Sequence, residues 1–265
     1  MQIKDQLQRP IYLNNTPKRI VCLVPSITEL ICDLGLESSL VGVTKFCVHP
    51  RHIFTNVAVV GGTKQVHYDK IRDLSPDIIL CNKEENTLEM IRELEAIATV
   101  HISDINTVED CLELIDMYGV VFNCSREAIS LISKITRAKT DFEDFIKTQP
   151  NREVAYFIWK DPWMVAANDT FVNYMLSLNN FKNTFQKASR YPEIAMEKVY
   201  PTVELVLLSS EPYPFKNEHK TVLQPQFPNA KILLVDGEMF SWYGSRLVLA
   251  FDYFKTWHCT VLTSE

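Results

Sequence analysis

No stretch of this sequence approaches the run of about 20 apolar residues that a membrane-spanning helix needs, so no transmembrane segment is expected. The start, Met1 to Arg19, is polar and lacks the apolar core of a secretory signal. As written, the sequence is expected in the cytoplasm; a periplasmic or lipid-anchored location is the alternative if a leader is missing. Lysine and arginine form no cluster, and a net charge of -6 with a pI near 5.6 gives no phosphate-neutralising surface, so nucleic acid is not an expected partner. The cysteines are seven, an odd number. Several stand in apolar strand or helix contexts, where a reduced thiol packs as a small hydrophobe. Glycine is also scarce, with seven in the chain and none from Val120 to Val235. There is no low-complexity segment and no close internal repeat. Gly61-Gly62-Thr63-Lys64 is too short for a phosphate loop and reads as a turn carrying a cleft-edge lysine.

What is present is a globular composition: 265 residues, 46% hydrophobic and 23% charged, enough to bury a sizeable core as two modest lobes or one large domain. The decisive pattern is Ser125 to Thr148. Ala128, Leu131, Ile132, Ile135, Ala138, Phe142, Phe145 and Ile146 recur at the three-and-four spacing of one buried helical stripe. The rod would be about 36 Å long, capped by Ser125 and stopped before Pro150. It divides the chain into an N-terminal lobe 1–122, a linking helix 123–150 and a C-terminal lobe 151–265. An ordinary long helix within a single domain is the alternative.

Each flanking region alternates short apolar runs with helical patterns, as a mainly parallel sheet requires. In the first, strands are expected at Arg19–Val24, Leu40–Thr44, Val57–Val60, Ile78–Cys81 and Val100–Ile102, with helices at Ile27–Leu34, Thr87–Ala96 and Val108–Tyr118. In the second, strands are expected at Val154–Ile158, Leu205–Leu208 and Ile232–Val235, and helices at Phe171–Leu178, Ala195–Tyr200 and Ser245–Phe254. Ligands of such sheets lie beyond the carboxyl ends of the strands, so the turns leaving those strands are where chemistry is sought.

After the first strand, Pro25 and Ser26 open a helix, and Ser26 with Glu29 has the spacing of a capping box. Next comes Lys45 to His52, where Phe46 precedes Cys47, His49 and His52; the thiol and imidazoles could ligate a metal. No second Cys/His pair follows, which argues against a structural zinc site. Lys83, Glu84 and Glu85 lie at the end of the fourth strand and open the helix carrying Glu89, where acidic residues also suit a helix N-terminus. The four tryptophans all fall in the second half. Trp159, Trp163 and Trp242 stand at loop or strand-end positions where aromatics can wall a pocket or simply pack a core. The richest segment, Asp236 to Arg246, reads D-G-E-M-F-S-W-Y-G-S-R. Its two glycines bracket Phe240, Trp242 and Tyr243, and Ser245 is placed to cap the last helix beside Arg246.

These segments resemble a known family. K-R-I-V-C-L-V-P-S-I-T-E-L from Lys18, L-V-G-V-T from Leu40, L-S-P-D-I-I-L from Leu74, the long helix and the D-G-E-M-F-S-W-Y-G-S-R loop are similar to the class III solute-binding proteins. These are the vitamin B12, haem and ferric-siderophore receptors of ABC importers, also called helical backbone metal receptors. The resemblance covers about Lys18 to Phe254. It implies two α/β lobes joined by a rigid helix, a ligand cleft between them and no catalysis. It also implies that one glutamate on each lobe docks on a permease dimer, by position Glu89 and Glu197. The sequence departs from the family at Lys83, where B12 binders carry an aromatic and where a lysine would suit an anionic ligand. It departs again at Asn179-Asn180, where a glycine pair is usual.

The expected function is therefore that of a monomeric, non-enzymatic solute-binding protein for a metal-bearing cofactor: a ferric siderophore, haem or corrinoid. No intrinsic cofactor is expected. Pro25, Ser26, Phe46, Trp159, Trp163, Tyr191, Phe240, Trp242 and Tyr243 would surround the ligand, and Lys64, Lys83, Glu84 and Arg246 would fix its polar groups. A cytoplasmic cofactor-binding or sensing protein of the same fold is one alternative. A metal-dependent enzyme using Cys47, His49 and His52 is the other.

Overall fold

The computed structural model describes residues 1–261. The chain divides into two compact units, Met1–Thr136 with Tyr243–Arg246, and Arg137–Trp242 with the segment from Leu247 onward. Both are α/β units built on parallel strands.

The first unit opens on a hairpin that the sequence pattern did not reveal, β1 (Gln2–Lys4) against β2 (Pro10–Tyr12). Buried Asp5 organises its turn, accepting from the backbone N–H of Leu7 and Arg9 and pairing with the Arg9 guanidinium at 2.8 Å. There follow β3 (Ile20–Cys22), α1 (Pro25–Asp33), β4 (Leu40–Val43), β5 (Ala58–Val59), α2 (Tyr68–Asp73), β6 (Ile78–Asn82), α3 (Leu88–Glu95), β7 (Thr99–Ser103) and α4 (Val108–Val121). The strands pair in parallel in the order β5-β4-β3-β6-β7. Every residue of β3 and β6 is buried, which is why both read as unbroken apolar runs instead of alternating. Val21, Leu23, Ile79, Cys81, Leu94 and Val100 form part of the core beneath them. Thr87 caps α3, and Thr107 with Asp110 closes a capping box on α4.

Helix α5 (Ser125–Ile146) runs from the first unit into the second. Ala128, Leu131, Ile135, Phe142 and Ile146 are its buried positions, on the stripe expected from the spacing. Ser125 does something else: its hydroxyl donates to the Gly119 carbonyl at 3.2 Å. In the second unit Phe142 packs on Phe251 and Phe254 at 5.6 and 5.8 Å between ring centroids.

The second unit contains β8 (Arg152–Trp159), β9 (Met164–Val165), α6 (Phe171–Leu178), β10 (Phe181–Asn183), β11 (Leu205–Ser209), α7 (Asn217–Leu223), β12 (Lys231–Val235), α8 (Gly237–Ser241) and α9 (Leu247–Thr260). Its parallel strands lie in the order β10-β8-β11-β12, with β9 antiparallel to β8. At the end of α6, Asn180 takes the left-handed conformation, with φ 56°, that the missing glycine pair would have supplied. Its amide also donates to the carbonyls of Ile146 and Gln149, closing the C-terminus of α5.

Three local expectations are corrected. Ala195–Tyr200 is irregular, with a turn at 196–197 and a bend at 198, and not a helix. Pro201 drives Tyr200 out of the helical region, and Tyr200 stacks instead on Phe227 at 5.1 Å. Ser26 forms no capping box, because α1 starts two residues earlier than expected, at Pro25, and Val24 takes the N-cap position without a side-chain bond. Helix α9 starts at Leu247, and the buried Ser245 hydroxyl has no hydrogen-bond partner, so it caps nothing.

Two buried histidines make stability depend on pH. His101 lies 3.2 Å from the Met117 sulfur, and His258 Nε2 donates to Asn179 Oδ1 at 3.0 Å, the acceptor atom of an amide whose nitrogen bonds the Met175 carbonyl. Loss of hydration lowers both from the ordinary 6.5 to about 4. Since the folded value is depressed, the unfolded chain takes up these protons first. Their contribution is complete above pH 6.5 and drains away as pH falls towards about 4. Urea midpoints should fall across that window, with a shallower fall in His258→Gln; a flat profile would contradict the burial. Truncation of Phe142 to alanine should cost about 3–5 kcal/mol in the same urea experiment, and a cost below about 1 kcal/mol would show that the helix is not anchored through that ring.

Candidate functional site

A parallel sheet leaves room for a ligand beyond its carboxyl edge where the order of strands reverses. In the first unit the chain builds outward from β3 to β4 and β5, then returns to place β6 on the other side of β3. In the second it goes from β8 to β10 and returns to β11. Each unit thus has one switch point, flanked by the turns after β3 and β6 in the first and after β8 and β11 in the second.

The turn after β6 is pinned by amides. Asn82, buried at the last position of β6, accepts the backbone N–H of Glu84 at 2.8 Å and of Glu85 at 3.3 Å, while its own NH₂ donates to Ser103. Asn86 returns a bond to the Asn82 N–H and reaches the Thr63 carbonyl. Around this turn Lys64 donates to the Glu84 backbone carbonyl at 2.5 Å, and Lys83 pairs with Asp104 at 2.6 Å. Pro25 opens α1, with Ser26 buried beside it. Phe46 is half exposed after β4, with the Lys45 ammonium 5.0 Å from its ring centroid.

The segment Tyr243–Arg246 belongs to this same unit although it lies late in the sequence. Gly244 adopts φ 92°, gives its N–H to the Cys111 sulfur at 3.1 Å, and approaches so closely that a Cβ would stand 3.2 Å from that of Leu30. Tyr243 is buried with Ser26 and Ser103 at its hydroxyl, and burial pushes that phenol well up. Arg246 holds Glu29 through two bonds of 2.9 and 2.6 Å, both side chains being largely buried. Its guanidinium fork is thereby occupied by protein. Burial outweighs the arginine's attraction and raises the Glu29 carboxyl above its ordinary range.

In the second unit Trp159 ends β8 with 39% of its surface exposed and meets Tyr213 edge to face at 5.7 Å. Glu211, after β11, accepts from the Ser241 hydroxyl at 2.6 Å and from the Trp242 indole N–H at 2.8 Å. Gly237 donates to the Ser210 hydroxyl at 2.9 Å, in a contact where any Cβ would overlap Ser209. Of the remaining aromatics expected around a ligand, Phe240 is fully buried between Tyr156 and Phe254, at 5.2 and 4.8 Å. Trp242 is buried, and Trp163 stacks on Phe215 at 5.9 Å. The one-and-a-half turns of α8 direct Phe240 inward, so the loop's aromatic content is spent mostly on core packing. Tyr191 is half buried in the turn between β10 and β11.

Cys47 and His49 have different surroundings. The Cys47 thiol is buried between the hydroxyls of Thr28 and Thr44, at 3.1 and 3.2 Å, and burial raises its pKa. His49 and His52 instead border a groove of about 280 Å³ with Glu29, Cys32, Asp33 and Glu37, where His52 is bonded to Glu37 at 2.9 Å. Among the described residues no group of three or more His, Cys, Asp and Glu is placed to hold a metal ion. The metal-enzyme alternative therefore lacks its constellation.

The model of the periplasmic binding protein family matches residues 20–202, more than half of the chain. The chain belongs to that family. Among curated family relatives, the uncharacterized ABC transporter substrate-binding lipoprotein YvrC of Bacillus subtilis is 25% identical over 205 residues, covering 74% of this chain and 65% of that protein. A cobalamin-binding protein of Halobacterium salinarum is 22% identical over 201 residues, covering 74% and 54%. The chain thus spans less than two thirds of the length of these relatives. Among solved structures, the periplasmic vitamin B12 binding protein BtuF of Vibrio cholerae superposes with a TM-score of 0.79 at 16% identity, over 94% of this chain and 99% of that one. The periplasmic haem-binding protein RhuT of Roseiflexus sp. RS-1 gives 0.78 at 16%, over 90% and 97%. The petrobactin-binding protein YclQ of Bacillus subtilis gives 0.78 at 17%, over 97% of each. At these identities the superpositions establish the fold.

The family match overturns the cytoplasmic expectation, since the family is one of periplasmic binding proteins and the BtuF and RhuT structures are of periplasmic proteins. Cys22, Cys47, Cys81, Cys111 and Cys124 are buried, and their thiols fill core space whatever the compartment.

Sequence reasoning noted Asn82 and Glu85 only as polar residues at a strand end, and it missed Glu211 and Tyr213. Their only sequence signal is position, within a few residues of the end of β6 or β11, and strand order is needed to know that these are the turns at a switch point.

The buried Arg246–Glu29 pair yields a stability test. Arg246→Met leaves the carboxylate buried without its partner and should cost about 3–5 kcal/mol. Adding Glu29→Leu should recover most of that loss in denaturant unfolding; a double variant no better than the single one would contradict the pairing.

Proposed function

We propose that this chain is the solute-binding component of an ABC importer and that its ligand is a metal-bearing cofactor: a ferric siderophore, haem or corrinoid. The observation that carries this reading is the pair of switch points, one on each α/β unit of a periplasmic binding protein family member. Each is bordered by hydrogen-bonded turns, and each unit carries an exposed aromatic at the end of a strand next to or at the switch point, Phe46 after β4 and Trp159 at the end of β8. A large ligand with apolar faces and a polar rim suits such surfaces. The names of relatives support the same class: cobalamin, vitamin B12, haem and petrobactin. The ligand is held and released unchanged, with no bond made or broken.

As ligand-facing residues we propose Phe46, Lys64, Lys83, Glu84 and Trp159, a choice supported by their exposure or partial exposure, whereas Phe240 and Trp242 are buried. Docking on the permease is assigned to Glu89 and Glu197. Glu89 is exposed in the first turn of α3, where backbone and Thr87 hydrogen bonds lower its pKa and keep it charged. Glu197 is exposed on the turns before Pro201.

Thermal unfolding against cobinamide, cobalamin, haem and ferric siderophores tests the binding step. A ligand at about 100 times its dissociation constant adds roughly 2.7 kcal/mol and raises Tm clearly, whereas an unmoved Tm across the panel would refute the ligand class. Charge reversal at Glu89 and Glu197 should then abolish ligand uptake through a reconstituted permease while leaving binding intact. Uptake by the double-reversed protein would remove the docking assignment.

A further inference from the structure

The turn of the N-terminal hairpin is bonded along β7, the edge strand of the first unit's sheet. Arg9 donates to the Val100 carbonyl at 2.9 Å, and the Ile102 N–H donates to the buried Asp5 carboxylate at 3.3 Å. Just past the strand, the Asp104 N–H donates to Gln6 Oε1 at 3.1 Å, while Gln6 Nε2 donates to the Asp110 carbonyl at 2.9 Å. Alternate residues along one edge, 100, 102 and 104, are thus held by side chains in the place a further strand would take.

The residue between them serves the opposite side. In a parallel strand the backbone groups of alternate residues point to opposite neighbours, and the Ser103 carbonyl faces the turn after β6. It accepts the Lys83 N–H at 3.0 Å and Asn82 Nδ2 at 3.1 Å, and the Ser103 hydroxyl meets the same Nδ2 at 3.0 Å. Asn82 in turn holds the N–H groups of Glu84 and Glu85. Asp104, whose N–H is bound by Gln6, pairs with Lys83 through Oδ2 at 2.6 Å and accepts from the Asn106 amide through Oδ1 at 3.3 Å. The end of β7 therefore has the hairpin on one side and the candidate ligand turn on the other. Lys83 keeps 48% of its side chain exposed, so its ammonium retains donors for a ligand while Asp104 fixes where it stands. A side chain ordered before the ligand arrives loses less rotamer freedom on binding, and Asp104 can order Lys83 only as firmly as its own backbone is held.

We propose that Gln6 is a positioning residue for the ligand turn: by fixing Asp104 it orders Lys83, so that the N-terminal hairpin sets part of the affinity from the far side of β7. The inference rests on the solute-binding reading, in which that turn contacts the ligand.

Amide hydrogen exchange in the free full chain tests the coupling without any ligand. Gln6→Met, which keeps the side chain's length and removes both of its bonds, should speed exchange at Lys83–Asn86 about fivefold, the scale of one neutral hydrogen bond. Val21, Cys22 and Ile79, in the strands behind, should exchange as before. Gln6→Glu, which keeps an acceptor for the Asp104 N–H, should restore the slower rates. Equilibrium binding then uses cobinamide, ferrioxamine B and haem. Gln6→Met should weaken binding about three- to tenfold, and in a Lys83→Met background it should weaken it no further. Unchanged exchange at Lys83–Asn86, exchange as fast in Gln6→Glu as in Gln6→Met, or an affinity loss that is the same with and without Lys83 would each overturn the inference and leave the solute-binding reading standing. Failure of the unaltered chain to bind any of the three probes would overturn that reading and with it the ligand role of Gln6, even where exchange shows the coupling.

Discussion

Parallel strand pairing is the constraint on which the rest of this structure depends. In a parallel sheet all carboxyl ends emerge along one edge, so polar turns scattered over the sequence are collected there without needing to be near one another in the chain. The order of strands then decides which turns flank open space. Both units meet that condition, at β3 and β6 in one and at β8 and β11 in the other. The apolar residues of these strands are consumed by burial on both faces, which leaves recognition to the short segments just beyond them.

Those segments are held in place largely by hydrogen bonds from buried amides and by paired charges. Asn82 and Asn86 fold the turn after β6 against Ser103 and Thr63. The chain also returns to the first unit for Tyr243–Arg246 before continuing in α9. That return is secured by the Gly244 contact with Cys111 and by the Arg246–Glu29 pair. A preorganised surface of this kind loses little entropy on binding, which suits the solute-binding role proposed for it.

Much of the architecture was legible in the sequence because it rests on periodicity. The α5 stripe, helix Phe171–Leu178 and the runs around Ile78 and Leu205 follow from spacing alone. The errors arose where tertiary contacts decide. Ala195–Tyr200 has helical composition, yet Pro201 and the stacking of Tyr200 on Phe227 keep it irregular. The aromatic loop around Trp242 looked like a ligand wall, but a short helix turns Phe240 into the core and Glu211 takes up the indole N–H. Lys83 reads in the sequence as an unpaired cation because Asp104, 21 residues away in sequence, is invisible as its partner until the strands are aligned. Pairings across a sheet edge have no local signature, and that is why the turns could be located from sequence while their available chemistry could not.

The central proposal is that the turns at each unit's switch point are its ligand-contacting segments. Hydrogen exchange measured with and without saturating cobinamide, ferrioxamine B or haem tests it most directly. Protection is predicted at the amides of Ser26 and Lys83–Asn86 in the first unit and of Trp159–Lys160, Ser209–Glu211 and Tyr213 in the second. Protection confined instead to the groove bordered by His49 and His52, or none at these turns with a ligand demonstrably bound, would contradict it.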